Sequence, residues 1–180
     1  RFTTEQAANE FLEKCVSARF RVQDVTTKPQ KRVPAAPFTT STLQQEAAHK
    51  LGFTVAQTMM VAQHLYENGR ITYMRTDSVN LSNLCLGASK KVIGTQMGEE
   101  YVKTRQYTTH SKGAQEAHEA IRPTYMDQIQ IEGTVQEKRL YDLIWKRTIA
   151  SQMADAEIEK TTVTISIDGM EDFFVANGEV

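Results

Sequence analysis

The spacing of apolar residues divides the chain into helices and strands that alternate with polar punctuation. Thr3-Thr4-Glu5-Gln6 fits a capping box with Thr3 as N-cap. The helix it opens presents Ala7, Ala8, Phe11, Leu12 and Cys15 or Val16 on one face and ends near Ser17. Residues 19–27 alternate, with Phe20 and Val22 on one side and Arg19, Arg21 and Gln23 on the other, which predicts a half-exposed strand. Lys28 to Pro37 holds three of the chain's four prolines and has no periodicity, so it is expected to be a stiff crossing between two units.

The middle is helical by pattern. Ser41-Thr42-Leu43-Gln44 and Thr54-Val55-Ala56-Gln57 fit the capping-box pattern and open helices over about 42–51 and 55–68. Each is stopped by glycine, Gly52 and Gly69. The second carries Met59, Ala62, Leu65 and Tyr66 as its apolar stripe. A short β-prone run, Ile71 to Arg75, follows, so the pair resembles a helix-turn-helix or winged-helix unit. Further helices are expected at about 82–97 and, capped by Thr134-Val135-Gln136-Glu137, at about 135–153, where Leu140, Leu143, Ile144 and Ile149 face inward and Trp145 anchors the packing. Residues 160–167 and 172–176 predict a hairpin across Asp168-Gly169-Met170-Glu171. The expectation is an α+β, mainly helical chain. A helical domain over 33–157 is inserted into a second, β-rich domain made of 1–32 and 158–180.

Candidate chemistry concentrates in Gly69-Arg70-Ile71-Thr72-Tyr73-Met74-Arg75-Thr76-Asp77-Ser78. If this run is extended, Tyr73 and Arg75 project to the same face. A phenol beside a guanidinium suits phosphate chemistry, because one can attack phosphorus while the other forks two non-bridging oxygens. Against this stands a surface ion pair between Arg75 and Asp77. Asp77 either orients Arg75 or His118 or caps a helix. His118, flanked by Glu116, Glu119 and Arg122, is either a satisfied structural histidine or a donor to phosphate. Position 122 is Arg, so His118-Glu119 is not the HExxH zinc pattern. Lys112 and Arg105 lie in the polar stretch 98–117 and could touch backbone phosphates.

Composition narrows the partners. The 180 residues are 40% hydrophobic and 24% charged, ordinary for a globular chain, and no apolar run approaches a membrane span. The net charge of −1 hides a segregation. Residues 28–124 hold 12 Lys or Arg against 7 Asp or Glu, while 125–180 hold 5 against 11. The Tyr73 stretch thus lies in the basic segment, as a polyanion-handling site should. Cys15 and Cys85 are too few for a disulfide framework and are expected as free thiols in a reducing cytoplasm. The start at Arg1 and the end within a strand-like run suggest an excised piece.

Three segments carry a resemblance to a known family: Pro37 to Gln45, Leu65 to Ser78, and Ala117-His118-Glu119-Ala120-Ile121-Arg122-Pro123-Thr124. Together and in this order they closely resemble the type IA DNA topoisomerases, with Met74 pointing to the bacterial topoisomerase I branch. The resemblance covers nearly the whole chain. It implies that Tyr73 is the nucleophile that forms a transient 5′-phosphotyrosyl link on one strand, allowing strand passage and relaxation of negative supercoils. Arg75 matches the arginine that holds the scissile phosphate, and His118 the histidine that assists there. Asp77, Arg122, Lys112 and Gln45 are secondary candidates for binding or orienting DNA. The middle resembles the gate domain III, and the flanks resemble part of the arch domain II.

The same resemblance implies Mg2+ as cofactor of the full-length enzyme. Its ligands would lie outside this chain, which has no counterpart to the family's Toprim domain, domain IV or zinc ribbons. The implied partners are single-stranded or negatively supercoiled DNA and the missing parts of the same polypeptide. No membrane is implied, and the bacterial nucleoid in the cytoplasm is the implied location. On this basis the piece alone is expected to be inactive. The rival reading is a non-enzymatic winged-helix module that binds duplex DNA.

Overall fold

The computed structural model describes residues 2–108 and 118–180. Helix starts are set by threonine and serine hydroxyls, as the sequence pattern requires, although two caps sit elsewhere than expected. Thr4, not Thr3, caps α1 (Glu5–Val16) by accepting from Ala7 N–H at 3.2 Å. Thr39, not Ser41, caps α2 (Thr40–Leu51) in a reciprocal box with Thr42. Phe38 explains the second shift. It is fully buried and its carbonyl accepts from Ile121 N–H, which fixes the chain in extended form up to Thr39. Helix α3 (Val55–Glu67), α4 (Asn83–Gln96) and α5 (Val135–Ser151) begin at Thr54, Ser82 and Thr134 as N-caps.

The chain divides into two units, 33–155 and 1–32 with 156–180. The 33–155 unit holds nearly all of the buried core. Leu43, Ala62, Leu65, Ile93, Ile121, Leu140 and Ile144 are essentially sealed from water. Trp145 anchors α5 as expected, its indole N–H donating to Met126 O at 2.9 Å. Tyr141 donates to Gln128 O at 2.6 Å. Gly52 and Gly69 end α2 and α3 in the left-handed region, at φ 70° and 67°, a conformation that glycine adopts without a Cβ penalty. The β-prone run after α3 does not form a strand. Ile71 makes one isolated bridge, to Pro123, and 72–80 is irregular. The polar stretch after α4 contributes one 3-10 turn, Glu99–Tyr101.

The other unit pairs α1 with a three-stranded antiparallel sheet in the order β1-β2-β3: β1 (Phe20–Arg32), β2 (Ala156–Ile167) and β3 (Phe173–Glu179). Strand β1 runs through Lys28 and Pro29, the start of the expected crossing, and pairs them with Lys160 and Glu159. Proline is tolerated because β1 is an edge strand, where one row of N–H groups has no ladder partner to lose. Only Val33 to Pro37 remains as connecting chain. The expected apolar face of α1 is not a buried one: Leu12 is 56% and Val16 87% exposed. Phe11 instead meets Phe2 and Phe174. The whole is an α+β chain of five α-helices and one sheet among the described residues.

Candidate phosphate site

Three segments far apart in sequence are laced together in the 33–155 unit. The Thr40 hydroxyl, freed because capping falls to Thr39, donates to Met74 O at 2.8 Å and accepts from Thr76 N–H at 2.9 Å. Thr40 N–H donates to Thr76 O at 2.9 Å. On the other flank, Thr72 N–H donates to Arg122 O at 2.9 Å and the Thr72 hydroxyl to Ala120 O at 2.7 Å. Ile121 N–H reaches back to Phe38 O at 2.8 Å. Residues 38–44, 71–78 and 118–124 therefore converge, although none of the three is a strand.

An open cavity of about 500 Å3 lies at the junction, lined by Thr40, Ser41, Gln44, Arg75, Thr76, Asp77 and His118. Its lining includes Thr40 and Ser41 of the first turn of α2, where the helix dipole favours an anion although the Thr40 and Thr42 N–H groups are already bonded within the protein. Arg75 adds a planar fork of donors and His118 an exposed imidazole. Asp77 is the lone carboxylate among the lining residues. No ion pair joins it to Arg75 among the described residues. Nor does it cap a helix, since Ser82 caps α4. Chemically, the arrangement can hold the oxygens of a phosphate.

Tyr73 is not among the residues that line this cavity. It is 44% exposed, and its ring meets Tyr66 edge-on at 5.3 Å between centroids. Without a strand the expected common face of Tyr73 and Arg75 is not imposed by alternation. Instead Thr72 is pinned, Met74 is buried at 4% exposure, and the two side chains serve different surroundings. Burial pushes the Tyr141 phenol up to about 12, and its hydroxyl is spent on a carbonyl, so it is a structural phenol.

Among the secondary candidates, Arg122 is placed differently from the expectation of a DNA contact. It is buried and its guanidinium binds Glu119 Oε2 at 2.5 Å and the carbonyls of Pro123 and Thr124. Glu119 in turn accepts from Ser82 N–H at 2.6 Å, which ties the loop to the α4 N-terminus. Burial would raise the Glu119 carboxyl, but the Ser82 hydrogen bonds and the Arg122 charge outweigh it and hold it below the usual carboxylate range. Arg105 likewise pairs with Asp155 and donates to Met153 O, so it closes its own loop. Gln45 is exposed outside the cavity lining, and its neighbour Gln44 takes that place. Lys112 lies outside the described residues.

Sequence reasoning missed Thr40, Ser41, Gln44 and Thr76. The signal was present in Thr39-Thr40-Ser41-Thr42, a run of cap-forming residues at a helix start, where one residue caps and the next can do other work. Among the described residues no three His, Cys, Asp or Glu side chains gather as a metal site would require. No helix among them is long and apolar enough to cross a membrane.

Comparison with known proteins agrees with the resemblance carried by these segments. The DNA topoisomerase family profile matches residues 1–180. A DNA topoisomerase 1 of Zymomonas mobilis is 48% identical over 180 residues, covering 99% of this chain and 14% of that protein. A DNA topoisomerase 1 of Mycolicibacterium smegmatis is 53% identical over 160 residues, covering 84% of this chain and 17% of that protein. Full-length topoisomerase I from Thermotoga maritima superposes with a TM-score of 0.72 at 35% identity, over 100% of this chain and 30% of that one. The chain thus spans between 14% and 30% of the length of these relatives.

Proposed function

From the premise that this chain belongs to the type IA DNA topoisomerases as part of a longer bacterial-type topoisomerase I, we propose that Tyr73 is the nucleophile that opens a DNA strand. The observation that carries this reading is the donor-lined cavity around Arg75 and His118, with Arg75 two residues along the chain from the exposed Tyr73 phenol. The phenol oxygen attacks phosphorus, the bond from phosphorus to the 3′ oxygen breaks, and that oxygen leaves as a 3′-hydroxyl after gaining a proton. The downstream strand stays attached through its 5′ phosphate. Religation is the reverse and restores the phenol.

Each residue has a stated task in this scheme. A free tyrosine has a pKa near 10, so about one phenol in a thousand is ionised at neutral pH. Positive charge beside the reacting phosphate favours attack by stabilising the charge that builds on its oxygens. Arg75 grips two non-bridging oxygens, which lysine would not do in the same geometry. His118 donates to the phosphate or assists proton transfer. Ser41 and Gln44 direct the adjoining phosphate, and Asp77 orients Arg75 or His118.

In this reading the 33–155 unit is the family's gate domain III, and 1–32 with 156–180 belongs to the arch domain II. Strand passage through the opened gate relaxes negative supercoils in the full enzyme. Mg2+ and its ligands, the Toprim domain and domain IV belong to the rest of the polypeptide. The 180-residue chain alone neither cleaves nor relaxes DNA. The test uses the full-length protein and single-stranded DNA labelled at either end. A 3′-end label should become protein-bound while a 5′-end label is released, and the opposite pattern would reject the assigned polarity.

A further inference from the structure

Tyr66 was expected within the apolar stripe of α3, yet it is 42% exposed and its ring is spent on Tyr73. We propose that Tyr66 is a positioning residue that sets the direction of the Tyr73 phenol through the edge-to-face contact. The inference rests on the reading of Tyr73 as nucleophile.

The local geometry explains why such a residue is needed. Immediately after Tyr66 the chain reverses: Gly69 N–H donates to Tyr66 O and Arg70 N–H to Leu65 O, both at 2.8 Å, with Gly69 at φ 67°. This turn brings residue 73 back over residue 66. The backbone there is anchored by buried Ile71 and Met74 and by the Thr72 hydrogen bonds. Those anchors fix the Tyr73 Cα but leave its χ angles undetermined, because the ring projects towards solvent rather than into the core. Of the ring contacts among the described residues, Tyr73 takes part in the one with Tyr66. The quadrupoles of two aromatic rings favour a tilted, edge-on approach over free rotation, and the observed interplanar angle of 66° is of that kind. Tyr66 itself rides on the last turn of a helix anchored in the core through Val61, Ala62 and Leu65, so it is a rigid reference for a side chain on an irregular segment.

The inference concerns the rate of attack and not the affinity for DNA. In the full-length protein, Tyr66→Ala and Tyr66→Leu should each slow single-turnover cleavage of a single-stranded oligonucleotide by about 10- to 100-fold, while Tyr66→Phe stays within about twofold, since a nucleophile misplaced by about 1 Å costs on the order of 100-fold. Affinity for the same oligonucleotide, measured by fluorescence anisotropy, should be unchanged in all three. Tyr66→Leu keeps apolar bulk at the turn and carries the test if Tyr66→Ala does not fold. Unchanged cleavage in Tyr66→Leu would overturn the inference. So would a loss matched by weaker binding, which would make Tyr66 a base-stacking surface, or a loss in Tyr66→Phe as large as in Tyr66→Ala. If Tyr73→Phe still forms the covalent adduct, the premise falls as well; if the adduct needs Tyr73 but ignores Tyr66, only this inference falls.

Discussion

Thr40 and Thr76 hold each other by three hydrogen bonds: backbone N–H of Thr40 to Thr76 O and backbone N–H of Thr76 to the Thr40 hydroxyl, each 2.9 Å long, and the Thr40 hydroxyl to Thr76 O at 3.1 Å. This clasp joins the first turn of α2 to the segment that carries Arg75. Replacing Thr40 by Val removes the hydroxyl and leaves Thr76 N–H without that acceptor. The expected cost is about 1–3 kcal/mol in urea-unfolding stability of the 180-residue chain, the range for orphaning a poorly solvated polar group. Thr40→Ser should retain most of the stability.

Arg122 and Glu119 make a second clasp, and here the prediction concerns charge. Arg122→Ala should destabilise the chain by about 3 kcal/mol, because it leaves a half-buried carboxylate without its partner. Arg122→Lys should recover only part of this, since a single ammonium cannot bind Glu119 and two carbonyls in the guanidinium geometry. Denaturation midpoints of the three proteins check both statements.

The lowered Glu119 pKa gives that clasp a pH signature. Below the ordinary Glu value of about 4.3 the unfolded chain binds the proton before the folded chain does. The stability from this group is therefore fully present above that value and is lost as pH falls through the lower folded value. Glu119→Gln should flatten the acid limb of a stability-against-pH curve while leaving its shape near neutrality unchanged. An acid limb identical in wild type and Glu119→Gln would show that another group governs it.

Gln44 and Gln45 separate the cavity from the surface beside it. In the full-length protein Gln44→Ala should slow oligonucleotide cleavage by about 10- to 150-fold, the cost of one hydrogen-bonding group to a charged phosphate. Gln45→Ala should be indistinguishable from wild type. Parallel cleavage assays on the two variants decide the matter.

How far the chain could be understood before its structure depended on how local each signal was. Thr134 and Glu137 cap α5 as their spacing requires, because a capping box closes within four residues. Leu140, Ile144 and Trp145 are buried for the equally local reason of helical periodicity. The convergence of Tyr73, Arg75 and His118 segments was legible only through the resemblance, since the hydrogen bonds that produce it join residues far apart in sequence, from Thr40 with Met74 to Phe38 with Ile121. Other features were set by tertiary context. Buried Phe38 moved the cap of α2 from Ser41 to Thr39, and that shift brought Thr40 to the clasp and Gln44 to the cavity. Pro29 entered a strand because that strand lies at a sheet edge. Tyr66 matched the apolar phase of α3, yet at the last turn of that helix it met another ring instead of the core.

The central claim is that Tyr73 forms the covalent link to DNA. The most direct measurement is denaturing gel analysis of full-length wild-type and Tyr73→Phe protein after incubation with 3′-end-labelled single-stranded DNA and Mg2+. A labelled protein band in wild type that vanishes in Tyr73→Phe, with both proteins folded and binding the oligonucleotide alike, is the result predicted here. A labelled band of undiminished intensity in Tyr73→Phe would contradict the account.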